Sequence, residues 1–319
     1  MSNPLKKAAL GSFHALGLFS VSTRLRRANT LVILCYHGIS LRDEHDWAGG
    51  LYITPSLFRR RLEFLRSWGA NVLPLHEGLA RLRNGSLPPR SVVLTFDDGF
   101  YDFFRHAFPA LKDFGFPCTV YLTTWYARYR LPIFNLMTNY LLWKTGNPDL
   151  ATRETREKAV AGYMEKNAAD GLDAEATDRI ARTMAENAGL NYDGMLRDRM
   201  FQIMTAAEVA EIAAAGIDIQ LHTHRHRTPS DRELFLREIR DNSKCIREIT
   251  GHVPTHFCYP SGVTSQQFLP WLKEAGVESA TTCVHGLAGP KSDPLLLPRY
   301  LDGCGVTELD FESWLSGMR

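Results

Sequence analysis

The sequence predicts an α/β fold with a mainly parallel sheet, and three observations carry that expectation. Short apolar runs rich in β-branched residues recur along the 319 residues. Helical patterns lie between them, and strand alternating with helix is the signature of parallel α/β architecture. Several of the runs are continuously apolar, as a sheet covered on both faces requires. The composition, 45% hydrophobic and 23% charged, suits one large domain or two small ones and excludes a disordered or collagen-like chain. No apolar stretch reaches the roughly 18–20 residues that span a bilayer. Lys plus Arg number 37 against 35 Asp plus Glu, a formal +2, so no nucleic-acid partner is implied.

The first element is unusual. Residues 1–30 hold Lys6, Lys7, Arg24, Arg26 and Arg27 with no acidic residue, a local charge of +5 that leaves −3 for the rest. A moderately apolar stretch from Ala8 to Val21 lies between the basic groups, broken by Ser12, His14 and two glycines. Three readings remain open for it: a weak secretory signal, a basic amphipathic helix in peripheral contact with an anionic membrane, and a leader helix packed on its own domain.

Strands are then expected at Leu31–Cys35, Ser91–Phe96, Thr119–Thr123, Ile217–Leu221, His256–Tyr259 and Ser279–Cys283. Thr54-Pro55 reads as an N-cap followed by an N1 proline, with Phe58, Leu62 and Leu65 marking one helical face. Thr205-x-x-Glu208 and Ser230-x-x-Glu233 read as capping boxes. After the second, Phe235, Ile239, Ile246 and Ile249 hold a helical stripe up to Gly251. From about 126 to 200 the chain is helical and rich in Ala, Glu, Arg and Lys, a helical insertion into the alternating pattern. Cys35, Cys118, Cys245, Cys258, Cys283 and Cys304 contain no CxxC pair, and three sit in strand-like runs as small core residues. That usage favours a reducing, cytoplasmic setting.

The chemistry gathers where strands stop. Val92-Val93-Leu94-Thr95-Phe96 ends in Asp97-Asp98-Gly99: two adjacent carboxylates leave the strand in different directions, so one can bind a cation while its neighbour acts as a base. After the next strand, His222 and His226 stand four apart, able to converge on one metal, with His224 between them. Two imidazoles, a carboxylate and open positions for water form a hydrolytic metal site. A third run stops at Tyr259-Pro260-Ser261-Gly262, where backbone N–H groups are free to meet an oxyanion.

Thr95-Phe96-Asp97-Asp98-Gly99 followed by His222-Thr223-x-x-His226, with Cys35-Tyr36-His37-Gly38 before and Leu297-Pro298-Arg299 after, resembles the polysaccharide deacetylase (NodB-homology) family. The resemblance covers roughly 30–305 and is poorest over the insertion. It implies a distorted parallel (β/α) barrel with fewer than eight strands over residues 31–319. It also implies a metal-dependent hydrolase that removes N-acetyl groups from amino sugars of a cell-envelope polysaccharide or its precursor. By the same resemblance Asp98, His222 and His226 hold a divalent metal, zinc by first guess, and Asp97 is the catalytic base. Ser261 with Tyr259 and Pro260 forms the oxyanion and substrate contact, and His285 is the first candidate acid with His37 second. Two departures stand out: the third motif lacks its usual arginine and aromatic, so no partner orienting Asp97 is visible, and the acid has no clear match. Tyr36 and Arg299 read as packing and support. Two further readings follow: a deacetylase or deformylase of a lipid-linked amino sugar at the cytoplasmic membrane face, and a non-catalytic carbohydrate-binding protein on the same fold. In parallel barrels the C-terminal strand ends open on one face, and His37, Asp97, Asp98, His222, Pro260 and His285 each follow a predicted strand.

Overall fold

The computed structural model describes residues 4–128, 130–170 and 174–318. Residues 1–3 of the basic segment and 129 and 171–173 of the insertion lie outside the described residues. Among the described residues one eight-stranded sheet forms, with every strand pair parallel. Its main path is β1 (Val32–Tyr36), β2 (Ser91–Phe96), β3 (Thr119–Leu122), β4 (Asp218–Leu221), β5 (His256–Cys258), β6 (Ser279–Thr281) and β7 (Tyr300–Leu301). The spatial order is β7-β1-β2-β3-β4-β5-β6, and the short strand Asn71–Val72 pairs with the start of β2. The sheet curls until Leu297 bridges Thr281 of β6 while Tyr300 and Leu301 pair with Leu34 and Cys35 of β1. The segment before β7 thus spans the gap between first and last strands, giving the distorted barrel. Sequence periodicity does not find β7, because two residues are too few to carry a pattern.

Strand interiors are apolar on both faces for a physical reason. Val32, Leu34, Val92 and Leu94 bury into the layer under the helices, while Ile33 and Val93 face a second, smaller cluster with Tyr121 and Cys258. Register then decides what the strand ends bring together. Tyr36 pairs with Phe96, Leu122 with Leu221, Leu221 with Phe257, and Cys258 with Thr281. The next residues, His37, Asp97, Thr123, His222 and Tyr259, therefore leave the barrel at one end.

The helix signals act locally as the sequence suggests, with one shift. Thr54 accepts a hydrogen bond from the Leu57 N–H at the head of α3 (Pro55–Trp68), and Thr205 and Glu208 form both halves of a capping box on α8 (Ala206–Ala214). The expected Ser230 box does not form. Asp231 caps α9 (Arg232–Thr250) through the Leu234 N–H, so the helix starts one residue later with an equally good capping side chain. Phe235, Ile239 and Ile246 are buried, and the helix ends at Gly251 with positive φ. Cys35 and Cys258 are core residues, whereas Cys283 is only half-buried because β6 ends before it.

The insertion contains α4 (Phe134–Lys144), α5 (Arg153–Asp170), α6 (Ala174–Asn187) and α7 (Tyr192–Arg197). Met137, Tyr140, Ala185 and Met195 form their own core with Tyr52 and Trp47. Its ends are tied to the loops that follow β4 and β2: the Trp125 N–H donates to the His224 carbonyl, and the Met204 N–H to the Gly99 carbonyl. At the other end of the chain, α1 (Pro4–Ala15) and α2 (Leu18–Arg26) pack on the last helix, α10 (Glu308–Ser316), through buried Leu10 and Phe19. Arg27 is buried too, donating to the carbonyls of Leu315, Thr30 and Ser91.

Gly99 shows how tightly the turn after β2 is built. Its φ is +82°, and a Cβ there would stand 2.4 Å from Leu122 Cδ1. Strain and overpacking act together, so Gly99→Ala is expected to lose about 1–3 kcal/mol of stability, read as a lower denaturant midpoint at unchanged m.

Candidate active site

Asp98 follows β2 in the left-handed region, φ 70°, a conformation that costs energy for a side-chain-bearing residue. Thr223 and His226 share it, with φ of 60° and 55°. These turns aim three side chains at one point. His222 Nε2 lies 3.2 Å and His226 Nε2 3.1 Å from Asp98 Oδ1. Ligands each about 2.0–2.1 Å from one tetrahedral cation stand roughly 3.3 Å apart, so the spacing suits a shared ion. Asp98 Oδ1 is buried without a hydrogen-bond partner of acceptable geometry, a costly state for a carboxylate oxygen unless a cation meets it.

The tautomer of His222 is set by its surroundings. Its Nδ1 faces the Cys258 carbonyl at 2.9 Å, which places the proton there and leaves the Nε2 lone pair toward Asp98. The loop is held from behind by α9. The Asn242 side chain accepts from the His222 N–H and donates to the carbonyl of Leu122 and to Thr124. One turn earlier, buried Glu238 accepts from the Arg225 N–H and from the guanidinium groups of Arg225 and Arg227. His224 turns inward, its Nδ1 2.8 Å from Thr124 Oγ1, as a supporting group behind the pair. Burial disfavours a charged His226, but the Asp98 carboxylate outweighs it and lifts the imidazole pKa.

Asp97 is held by a residue the sequence reading assigned to packing. Arg299 donates Nη1 to Oδ1 at 2.7 Å and Nη2 to Oδ2 at 2.8 Å, a two-point clamp between fully buried partners. This corrects the expectation that Asp97 lacks an orienting partner: the arginine missing from the third motif is replaced by one from Leu297-Pro298-Arg299. A signal was present, since a cation inside the apolar run Leu295 to Leu301 requires a buried acid. Burial alone would raise the Asp97 carboxyl, yet the charge and hydrogen bonds of Arg299 hold it well below the carboxylate range. Two thiols complete the enclosure, Cys258 Sγ 3.3 Å and Cys35 Sγ 3.5 Å from Oδ2.

The two candidate acids separate in space. His37 Nε2 is 3.6 Å from Asp97 Oδ2, and burial lowers its pKa against the pull of Asp97. His285 is exposed, with its ring edge-on to Tyr300 and Trp314, each at 5.7 Å. In the third motif Tyr259 is buried and its hydroxyl donates to the Leu295 carbonyl, so its side chain turns into the core, as does buried Pro260. Ser261 adopts φ 55°; the Gly262 and Val263 N–H groups are used by the Tyr259 and Pro260 carbonyls, while the Ser261 N–H is used by neither. His256 lies at the far end of β5, buried against Ser279.

Against this geometry, a profile of the family described as polysaccharide deacetylase matches residues 84–280. The chain belongs to the polysaccharide deacetylase family. Among curated relatives, this family member is 31% identical over 101 residues to a poly-beta-1,6-N-acetyl-D-glucosamine N-deacetylase of Staphylococcus aureus, covering 32% of this chain and 33% of that protein. The Staphylococcus epidermidis counterpart is 33% identical over 106 residues, 30% of this chain and 37% of the relative. The chain thus aligns with about a third of the length of these curated relatives. Among solved structures, a Streptococcus pyogenes deacetylase in complex with acetate superposes with a TM-score of 0.62 at 19% identity, covering 91% of this chain and 98% of that one. IcaB from Ammonifex degensii gives 0.59 at 20%, covering 90% and 97%. At such identities these two show the fold, and they share the curled barrel over nearly its whole extent.

One more buried carboxyl stands behind the site. Asp102 is pushed well above the usual range, first by burial, against the N–H of Ile39 and with the charges of Glu44 and Asp98 adding. Unfolded, it ionises near pH 4. The folded protein therefore binds more protons than the unfolded chain above that pH, and this group costs stability as pH rises through its raised folded value. Asp102→Asn is expected to flatten thermal stability against pH from about pH 4 upward and to raise the melting temperature at alkaline pH.

Proposed function

We propose that this protein hydrolyses the N-acetyl group of an amino sugar in an N-acetylated polysaccharide, using a divalent cation held by Asp98, His222 and His226. The observation that carries the proposal is the convergence of those three ligand atoms beside a separate, clamped carboxylate, Asp97. Such a division gives one carboxylate to the cation and one to the proton. The set of one oxygen and two imidazole nitrogens suits zinc, though imidazole sites are not selective by affinity alone.

When bound, the cation would supply Lewis-acid polarisation of the acetyl carbonyl and acidify a water. The chain supplies the rest. Asp97, fixed in direction by Arg299, is the carboxylate placed to accept a proton from the attacking water, which the cation would acidify when bound. The Ser261 N–H is the donor in the third motif left to meet the oxyanion. His37, within 3.6 Å of Asp97, is the imidazole placed to give a proton to the departing amine nitrogen, so the proposal assigns the acid to His37 and not to His285. Water and amide then become acetate and the protonated amine.

The staphylococcal relatives, named for poly-beta-1,6-N-acetyl-D-glucosamine, make β-1,6-linked N-acetylglucosamine oligomers the first substrates to try. The test is acetate release by metal-replete protein from those oligomers, beside β-1,4-linked ones. Release that is lost in His37→Ala and kept in His285→Ala supports the proposal. Absence of release from every N-acetylated oligosaccharide would leave a sugar-binding role on the same fold.

A further inference from the structure

The two N-terminal helices carry a surface that the catalytic reading does not use. Of the eight large hydrophobic side chains exposed among the described residues, four fall between positions 13 and 25: Phe13, Leu16, Val21 and Leu25. Leu16 is 72% exposed and Leu25 75%. On α2 apolar groups lie on two sides, where an ordinary surface helix has one: Phe19 packs inward, and a second pair does not. Ser22 faces inward, buried with its hydroxyl unpartnered, while Val21 and Leu25, one turn apart on the opposite side, face out. A helix that buries Phe19 on one side and presents valine and leucine on the other has a second apolar face, turned toward something outside the domain.

The charge of the segment says what that is. Residues 1–30 contain no acidic residue, and Lys6, Lys7, Arg24 and Arg26 accompany the exposed apolar groups in the sequence. Arg27 is excluded from this set because its guanidinium is consumed inside the domain. Apolar side chains in a cationic segment match the boundary of a bilayer with anionic headgroups, where the former enter the acyl region and the positive charge meets phosphate. No helix among the described residues is long and apolar enough to cross a membrane, so the contact lies on the surface. The placement is compatible with catalysis. Arg27, just after α2, is fastened to the Ser91 carbonyl at the start of β2, whereas Asp97 follows the end of that strand.

We propose that α1 and α2 form a peripheral docking surface for an anionic phospholipid bilayer, with Leu16, Val21 and Leu25 as its apolar contacts. The inference does not depend on the substrate or on the metal. Its test is cosedimentation of the full chain with vesicles of phosphatidylcholine containing about 30% phosphatidylglycerol, against phosphatidylcholine alone. The expected result is binding to the anionic vesicles only, weakened by about 0.5 M salt. In the Leu16→Glu/Leu25→Glu variant partitioning should fall at least about tenfold while the melting temperature stays unchanged, since both side chains are exposed. Failure of the parent protein to bind anionic vesicles, or equal binding by the variant, overturns the proposal. So does a dimer, seen by analytical ultracentrifugation without lipid, that the double substitution dissolves, because the patch would then be the seat of a second copy.

Discussion

Asp97→Asn should reduce acetate release by about 10²–10⁴-fold while leaving bound metal near the parental level. The reasoning rests on geometry. The substituted amide would keep the volume and one acceptor oxygen but could not take a proton from water, and none of the three proposed cation ligands is altered. The same substitution removes the partner of a fully buried guanidinium, and stranding one member of a buried pair costs about 3–5 kcal/mol. A drop in activity alone would therefore be ambiguous. Arg299→Met resolves it: stability should fall by a similar amount, because Asp97 would then be the stranded charge, and the double variant Asp97→Asn/Arg299→Met should be more stable than either single one. Activity should remain lost in the double variant, since stability is restored and the base is not. Folded, metal-loaded Asp97→Asn with parental activity would sink the base assignment.

The pair also fixes an acid limit. The Asp97 carboxyl lies below its unfolded value, so its stabilising contribution is full above about pH 4 and is lost as pH falls toward the folded value. The double variant should lose less of its stability on acidification than the parent, measured by denaturant unfolding between about pH 6 and 3.

Why Arg299 escaped the sequence reading, while Asp97, Asp98, His222 and His226 did not, is a matter of distance along the chain. Asp97 with Asp98, and His222 with His226, are legible as local words: each ends a strand whose apolar run is visible, and each pair has its own spacing. Arg299 is 202 residues from Asp97 and meets it only because β7 closes the barrel beside β1, the neighbour of β2. Pairing across a barrel seam leaves no periodicity to read. The thiols of Cys35 and Cys258 show the same limit, for their strands predict burial but not that both touch one carboxylate. Local strain was equally invisible: positive φ at Asp98, Thr223 and His226 belongs to residue types that give no glycine-like warning. The strand cores and most helix caps were legible because a short apolar run and a capping box are each contained within a few consecutive residues. The one cap that moved, from Ser230 to Asp231, did so between adjacent residues of nearly equal capping strength.

His226→Ala should abolish tight binding of a divalent ion and reduce turnover to background, and the stability readout makes this more than an activity test. A ligand that binds only the folded protein stabilises it by RT ln(1 + [L]/Kd), about 2.7 kcal/mol at one hundred times Kd. Added zinc should therefore raise the melting temperature of the parent protein, and a chelator should lower it. Neither should move His226→Ala. Without metal the variant should be no more stable than the metal-free parent, because it removes an imidazole that partners the buried Asp98 carboxylate. Asn242→Ala separates ligation from positioning. It leaves all three donor groups in place but removes the side chain that holds the His222 N–H and joins the ends of β3 and β4. Metal affinity should then fall by about 10–100-fold and be recovered at higher metal concentration, a rescue unavailable to His226→Ala. Equal metal-dependent stabilisation of the parent and His226→Ala would place the ion elsewhere and remove the basis for the mechanism.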